Sequence, residues 1–200
     1  MFVHDNGKIA VLANSRCGHQ SMYEYFGIPV EVELRDKIEQ WAASPNRKVL
    51  VLRNPIERMW SGLNLYNMYA LPIINLYDVS KAKGIEKNMD PFPFASLFVN
   101  EDTRHDRVQD IIFRGHCAPY LDKIEAATEN FEIIDFARLG EYIPLAHRTN
   151  ITNCDNITLE NFVDNDIFTR EDMEAELIRY ERLKLKQKEL QPFEWVELTS

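Results

Sequence analysis

Two clusters of polar residues follow short apolar runs in this chain, and both have the composition of anion-binding turns. The first is Ser15-Arg16-Cys17-Gly18-His19-Gln20-Ser21, just after Lys8-Ile9-Ala10-Val11-Leu12-Ala13. The second is Arg53-Asn54-Pro55-Ile56-Glu57-Arg58-Met59-Trp60-Ser61, which continues the run from Lys48 to Leu52. A loop that leaves a strand and opens a helix offers backbone N–H groups and the positive helix end, which together attract phosphate or sulfate. A guanidinium at a strand's carboxyl end and a hydroxyl on the following helix can converge on one dianionic phosphate through charged hydrogen bonds. The chemistry to expect is the binding of phosphate or sulfate.

Other readings of the same residues fail on spacing. Gly18 is the only glycine of the first loop, and no Gly-Lys pair precedes a Ser or Thr, so the loop is not a Walker A sequence. Position 23, six after Cys17, is tyrosine rather than arginine, which argues against a cysteine-based phosphatase. Cys17 with His19, His116 with Cys117, and His147 with Cys154 lack the paired spacing of a structural zinc site, so no metal is predicted.

The elements that must position these turns are short. Lys8–Ala13, Lys48–Arg53 and Phe131–Phe136 are apolar runs too brief for helices, which is how buried parallel strands read. Ser21–Phe26 is a helix stopped by Gly27. Asn54 can cap the helix after the second run, Pro55 suits its first position, and Ile56, Met59, Trp60 and Leu63 share one face. Val32–Ala43 reads as a helix, and Thr169–Asp172 opens another with Met173, Leu177, Tyr180 and Leu183 as its apolar stripe. The acidic run Glu171–Glu176 is expected to be a solvated face of it. Asp78 to Asp110 reads as a loop insertion packed by Phe92, Phe94 and Phe98. Strands alternating with helices imply an α/β fold with a P-loop-like central parallel sheet flanked by helices, and ligands beyond the strands' carboxyl ends.

Bulk composition narrows the setting. At 200 residues and 45% hydrophobic content the chain fits a single domain over 1–200. A net charge of −9 provides no basic stripe for nucleic acid or an anionic membrane surface. No secretory signal or membrane span is visible, and three cysteines suit reduced thiols, so a soluble, cytoplasmic protein is expected.

Ser15–Ser21 resembles the 5′-phosphosulfate loop of the sulfotransferases that use 3′-phosphoadenosine-5′-phosphosulfate (PAPS), roughly Pro-Lys-(Cys/Ser)-Gly-(Ser/Thr)-Thr-Ser. Arg16 stands for the family lysine, Cys17, Gly18 and Ser21 agree, and His19 and Gln20 replace hydroxyl residues. Arg53–Ser61 resembles the 3′-phosphate motif, Arg-Asp-Pro-x-x-Arg-x-x-Ser: Arg53, Pro55, Arg58 and Ser61 agree and Asn54 departs. Arg114–Leu121 resembles the His-Trp-x-Pro segment of the carbohydrate-directed branch, and His147–Asn150 its His-x-Asn segment.

The resemblance implies a P-loop-like sulfotransferase fold and transfer of a sulfuryl group from PAPS to a hydroxyl, with 3′-phosphoadenosine-5′-phosphate (PAP) released. It implies that Arg16, Cys17, Gly18, His19, Gln20 and Ser21 hold the 5′ end, that Arg53 and Ser61 hold the 3′-phosphate, and that Arg16 also stabilises the departing phosphate. Arg58, beside Glu57, is either a phosphate ligand or a solvated or paired surface group, and Trp60 reads as core. A general base is required, and His116 is the first choice, with Glu31 or Glu33 in reserve. For His116 the competing reading is a histidine satisfied by backbone partners. The acceptor, a small molecule or saccharide, is not specified, and the insertion would form part of its wall. Two alternatives stand beside this enzyme: a P-loop-like nucleotide kinase, and a catalytically inactive relative that binds PAP or PAPS.

Overall fold

The structure, a computed structural model, describes residues 1–14, 16–28, 37–62, 119–147, 157–163 and 169–200. Val32 to Asp36 of the expected helix, the insertion from Asp78 to Asp110, the loop residue Ser15, and the base candidates His116, Glu31 and Glu33 lie outside the described residues. The fold is α/β, with a four-stranded mixed sheet flanked by helices. The chain groups into two compact units: Met1–Asn54 with Tyr120–Ile151 and Glu176–Ser200, and Pro55–Pro119 with Thr152–Ala175.

The first unit holds the sheet, whose strands β1 (Phe2–Asp5), β2 (Ile9–Ala13), β3 (Arg47–Leu52) and β4 (Glu132–Asp135) lie side by side in that order. The parallel pairs set Val11 opposite Val49 and Val51 opposite Ile134. β2, β3 and β4 match the three apolar runs. β1 does not follow from them: it pairs antiparallel to β2, with Phe2 opposite Ala13, so the expected all-parallel sheet is corrected to a mixed one. Its four residues are half polar, and it is formed by a tight reversal in which Asn6 Oδ1 accepts from the N–H groups of Lys8 and Ile9, each at 3.0 Å. Such a strand has neither the length nor the apolar continuity that marks its neighbours.

The described helices are α1 (His19–Phe26), α2 (Lys37–Ala43), α3 (55–62), α4 (Leu121–Ala127), α5 (Leu139–Tyr142), α6 (Leu159–Val163), α7 (Arg170–Lys186) and α8 (Pro192–Thr199). Successive strand residues face opposite ways. Ile9, Val11, Ala13, Val49, Val51 and Ile134 therefore meet Met22 of α1, Tyr142 of α5 and Trp195 of α8. Ala10, Leu12, Leu50, Leu52 and Ile133 meet Trp41 of α2, Leu121 and Ile124 of α4, and Tyr180 and Leu183 of α7. Both faces are covered, as the strand pattern required.

Residues after α7 close the sheet's β4 edge: Ile133 donates to the Lys188 carbonyl and Leu190 donates back to Ile133, both at 2.9 Å. Pairing removes an open edge that would otherwise template aggregation. α8 then begins with a capping box between Gln191 and Glu194 and with Pro192 in the first turn. Arg47 Nη2 ties it down, donating to Glu194 at 2.7 Å and to Glu132 at 2.9 Å, while Lys188 lies 3.0 Å from Glu132 and 3.2 Å from Glu194.

α1 starts at His19, two residues before the expected Ser21, because Gly18 takes a left-handed conformation and serves as its N-cap. It stops where the sequence requires: Gly27 is left-handed (φ 64°), and the Ile28 N–H reaches back to the Tyr23 carbonyl at 3.0 Å. The expectation for the acidic run needs one correction. Glu171, Asp172 and Glu174 are exposed, but Glu176 is fully buried and accepts from the N–H groups of Tyr120 (2.9 Å) and Leu121 (3.2 Å). The N-terminus of α4 leaves amide donors that a carboxylate can satisfy with favourable charge.

In the second unit, α3 starts at Pro55 and buries Met59 with Phe162 of α6 and Met173 from the first turn of α7. Ile56 and Trp60 pack around them, so three members of the predicted stripe form a core, Trp60 among them. Leu63 lies outside the described residues.

Candidate anion-binding site

Because β2, β3 and β4 are parallel neighbours, the residues just past their carboxyl ends are brought to one edge of the sheet. Those residues are Asn14, the turn at Arg16–Gly18, Arg53, and Phe136.

The first turn is bent by two left-handed residues. Arg16 has φ 65° and Gly18 φ 78°, and Cys17 between them is not in that region. Turns that contain left-handed residues are among the backbone forms in which anion-binding nests occur. The Cys17 N–H itself is used internally, donating to the Asn14 carbonyl at 2.9 Å. No side chain caps α1, because the capping residue is Gly18. Glycine suits the left-handed conformation there, and a Cβ would stand 2.6 Å from Leu139 Cδ2, so any side chain would be strained and would push Leu139 aside. The turn sits on a buried thiol, with Cys17 Sγ 3.7 Å from the Tyr120 hydroxyl.

Arg53 reaches this turn from the next strand. Its Nη1 donates to the Arg16 carbonyl oxygen at 2.7 Å, and its guanidinium carbon lies 4.3 Å from the centre of the Phe136 ring. Arg53 is only 5% exposed and Arg16 only 9%, so both cationic residues are held where water screens them little. Phe136 opens a single 3-10 turn, Phe136–Arg138, that Asp135 caps by accepting from the Ala137 N–H at 3.0 Å.

The structure thus brings together Arg16, Cys17, Gly18 and Arg53 of the predicted site residues. Ser21 is buried on α1, His19 is half-buried with its ring edge-on to Tyr23, and Gln20 is exposed on the same first turn. Arg58 and Ser61 belong to the second unit, and both are buried. At 1% exposure, Arg58 is not the solvated surface group that was one of its two readings. Sequence reasoning missed Phe136 as a site residue. Its only signal was position, an aromatic residue directly after the third predicted strand.

No helix among the described residues is long and apolar enough to cross a membrane. No protein-family model, curated protein or solved structure matches this chain.

Proposed function

We propose that this chain is a sulfotransferase that moves the sulfuryl group of PAPS to a hydroxyl acceptor and releases PAP. The observation that carries the reading is the joining of the two motifs. The turn at Arg16–Gly18, with its two left-handed residues, and the guanidinium of Arg53 meet at adjacent parallel strand ends through one 2.7 Å hydrogen bond. Backbone N–H groups at the start of α1 suit the 5′-phosphosulfate, and a cation at Arg16 suits the charge that grows on the phosphate as the S–O bond breaks. On the sequence resemblance, Arg53 and Ser61 are assigned to the 3′-phosphate, for which a charged donor fork is the apt partner.

In this reaction the acceptor oxygen bonds to sulfur as the bond from sulfur to the 5′-phosphate oxygen breaks, the acceptor's proton passes to a general base, and PAP leaves with the bridging oxygen and the electron pair of the broken bond. His116 remains the proposed base, with Glu31 or Glu33 as the alternatives, on the strength of the sequence resemblance. A saccharide is the acceptor class that the resemblance favours, and the cytoplasm is the compartment proposed for a chain with so few cysteines.

The test is transfer from radiolabelled PAPS to a panel of saccharides and phenols, with PAP formation followed in parallel. Acceptor-dependent PAP release supports the enzyme. Tight PAP binding without turnover on any acceptor would instead identify the catalytically inactive relative.

A further inference from the structure

We infer that Phe136 is the positioning residue of the anion site, a single ring that orders both turns at once; the identity of the anion, though not the ring's role, rests on the sulfotransferase reading. Its ring centre lies 4.3 Å from the Arg53 guanidinium carbon, within cation–π range. A Cβ placed on Gly18 would meet the ring's Cε2 at 3.5 Å, so the ring also borders the left-handed glycine of the first turn. Arg53 carries the restraint onward by donating to the Arg16 carbonyl at 2.7 Å.

The ring therefore acts on Gly18 directly and on Arg16 through one guanidinium. Arg16 needs such support. A left-handed arginine (φ 65°) persists only where the surroundings over-determine it. The ring is itself fixed, because Asp135 caps the 3-10 turn that carries it and pairs with Lys184 at 2.9 Å. Phe136 would touch neither phosphate of the nucleotide, yet losing it should loosen the contacts to both.

Two variants test this: Phe136→Leu, which removes the aromatic face, and Phe136→Tyr, which keeps it. In the nucleotide-free protein, hydrogen exchange of the Cys17 amide should quicken about 10-fold in Phe136→Leu while the Leu50 and Leu52 amides of β3 keep their rates. Phe136→Tyr should stay within about 3-fold of the parent. Equal acceleration of all these amides, or no rescue by tyrosine, would overturn the inference, since either marks a merely structural residue. Titration then uses PAP and adenosine 5′-phosphosulfate, which lacks the 3′-phosphate. Phe136→Leu should weaken both about 10-fold. Loss confined to PAP would mean that Phe136 serves Arg53 alone, and would sink the joint role. If the parent protein binds neither nucleotide, the sulfotransferase reading falls while the exchange rates still decide the role of Phe136.

Discussion

The Nη1 of Arg53 donates a 2.7 Å hydrogen bond to the carbonyl oxygen of Arg16, so residues assigned to opposite ends of a nucleotide are joined directly. One of them sits at the end of β3, and the other in the turn after β2. A change at either position should be felt at both ends of the ligand.

Arg53→Ala removes a charged donor fork and should cost about 2 to 4 kcal/mol of PAP binding. Calorimetry on the folded variant measures it, with circular dichroism establishing that the fold is retained. Undiminished PAP affinity would remove Arg53 from the binding site.

At Arg16 the predicted effects on rate and stability separate. Arg16→Gly relieves a left-handed arginine but adds chain entropy to the unfolded state, so stability should stay within about 1 kcal/mol of the parent. The same change removes the cation proposed to stabilise the leaving phosphate, so kcat should fall far more than nucleotide affinity. Arg16→Lys should retain activity. Normal turnover by Arg16→Gly would contradict the assignment of Arg16 to the leaving group.

The parts of this architecture that sequence made legible are those with local causes. The runs Lys8–Ala13, Lys48–Arg53 and Phe131–Phe136 read as strands because they are apolar, short and without helical period, and they form β2, β3 and β4 with ends shifted by a residue or so; Gly27 reads as a stop because a left-handed residue ends α1 there. β1 was not legible, because a half-polar edge strand owes its existence to its partner. Nor was Glu176, which looks like one more acid on a charged helix until its two amide partners at the start of α4 are known. In the candidate site, the nature of Arg16, Gly18 and Arg53 could be read from motif order. Their connection through Phe136 could not, since a guanidinium resting on a ring from the turn after another strand leaves no pattern along the chain.

Glu176→Ala would leave buried amide donors at Tyr120 and Leu121 without their carboxylate, and should destabilise the fold by about 2 to 4 kcal/mol. Urea denaturation gives the value. A change below about 0.5 kcal/mol would show that water replaces the carboxylate freely.

Acid should weaken the attachment of α8. The hydrogen bond from Arg47, then that from the Gln191 N–H, lowers the Glu194 carboxyl from its ordinary 4.5 to about 2. Burial alone would raise the neighbouring Glu132, yet hydrogen bonds from Arg47 and Lys188 hold it low as well. A carboxyl lowered on folding gives stability that is complete above its unfolded value and lost as pH drops toward the folded one. Tm should therefore decline between pH 4.5 and about 2. Glu194→Gln should lower Tm at neutral pH and flatten that decline; an unchanged acid profile in this variant would show that Glu194 does not govern it.

The central claim is that two joined turns recognise a nucleotide phosphorylated at both its 5′ and 3′ positions, and calorimetric titration of the parent protein with PAP and with AMP tests it most directly. The two ligands differ only in the 3′-phosphate assigned to Arg53 and Ser61. PAP should bind at least about 30-fold more tightly than AMP, the equivalent of one charged hydrogen-bonded contact of about 2 kcal/mol. Equal affinity for the two, or no binding of either, would contradict the account.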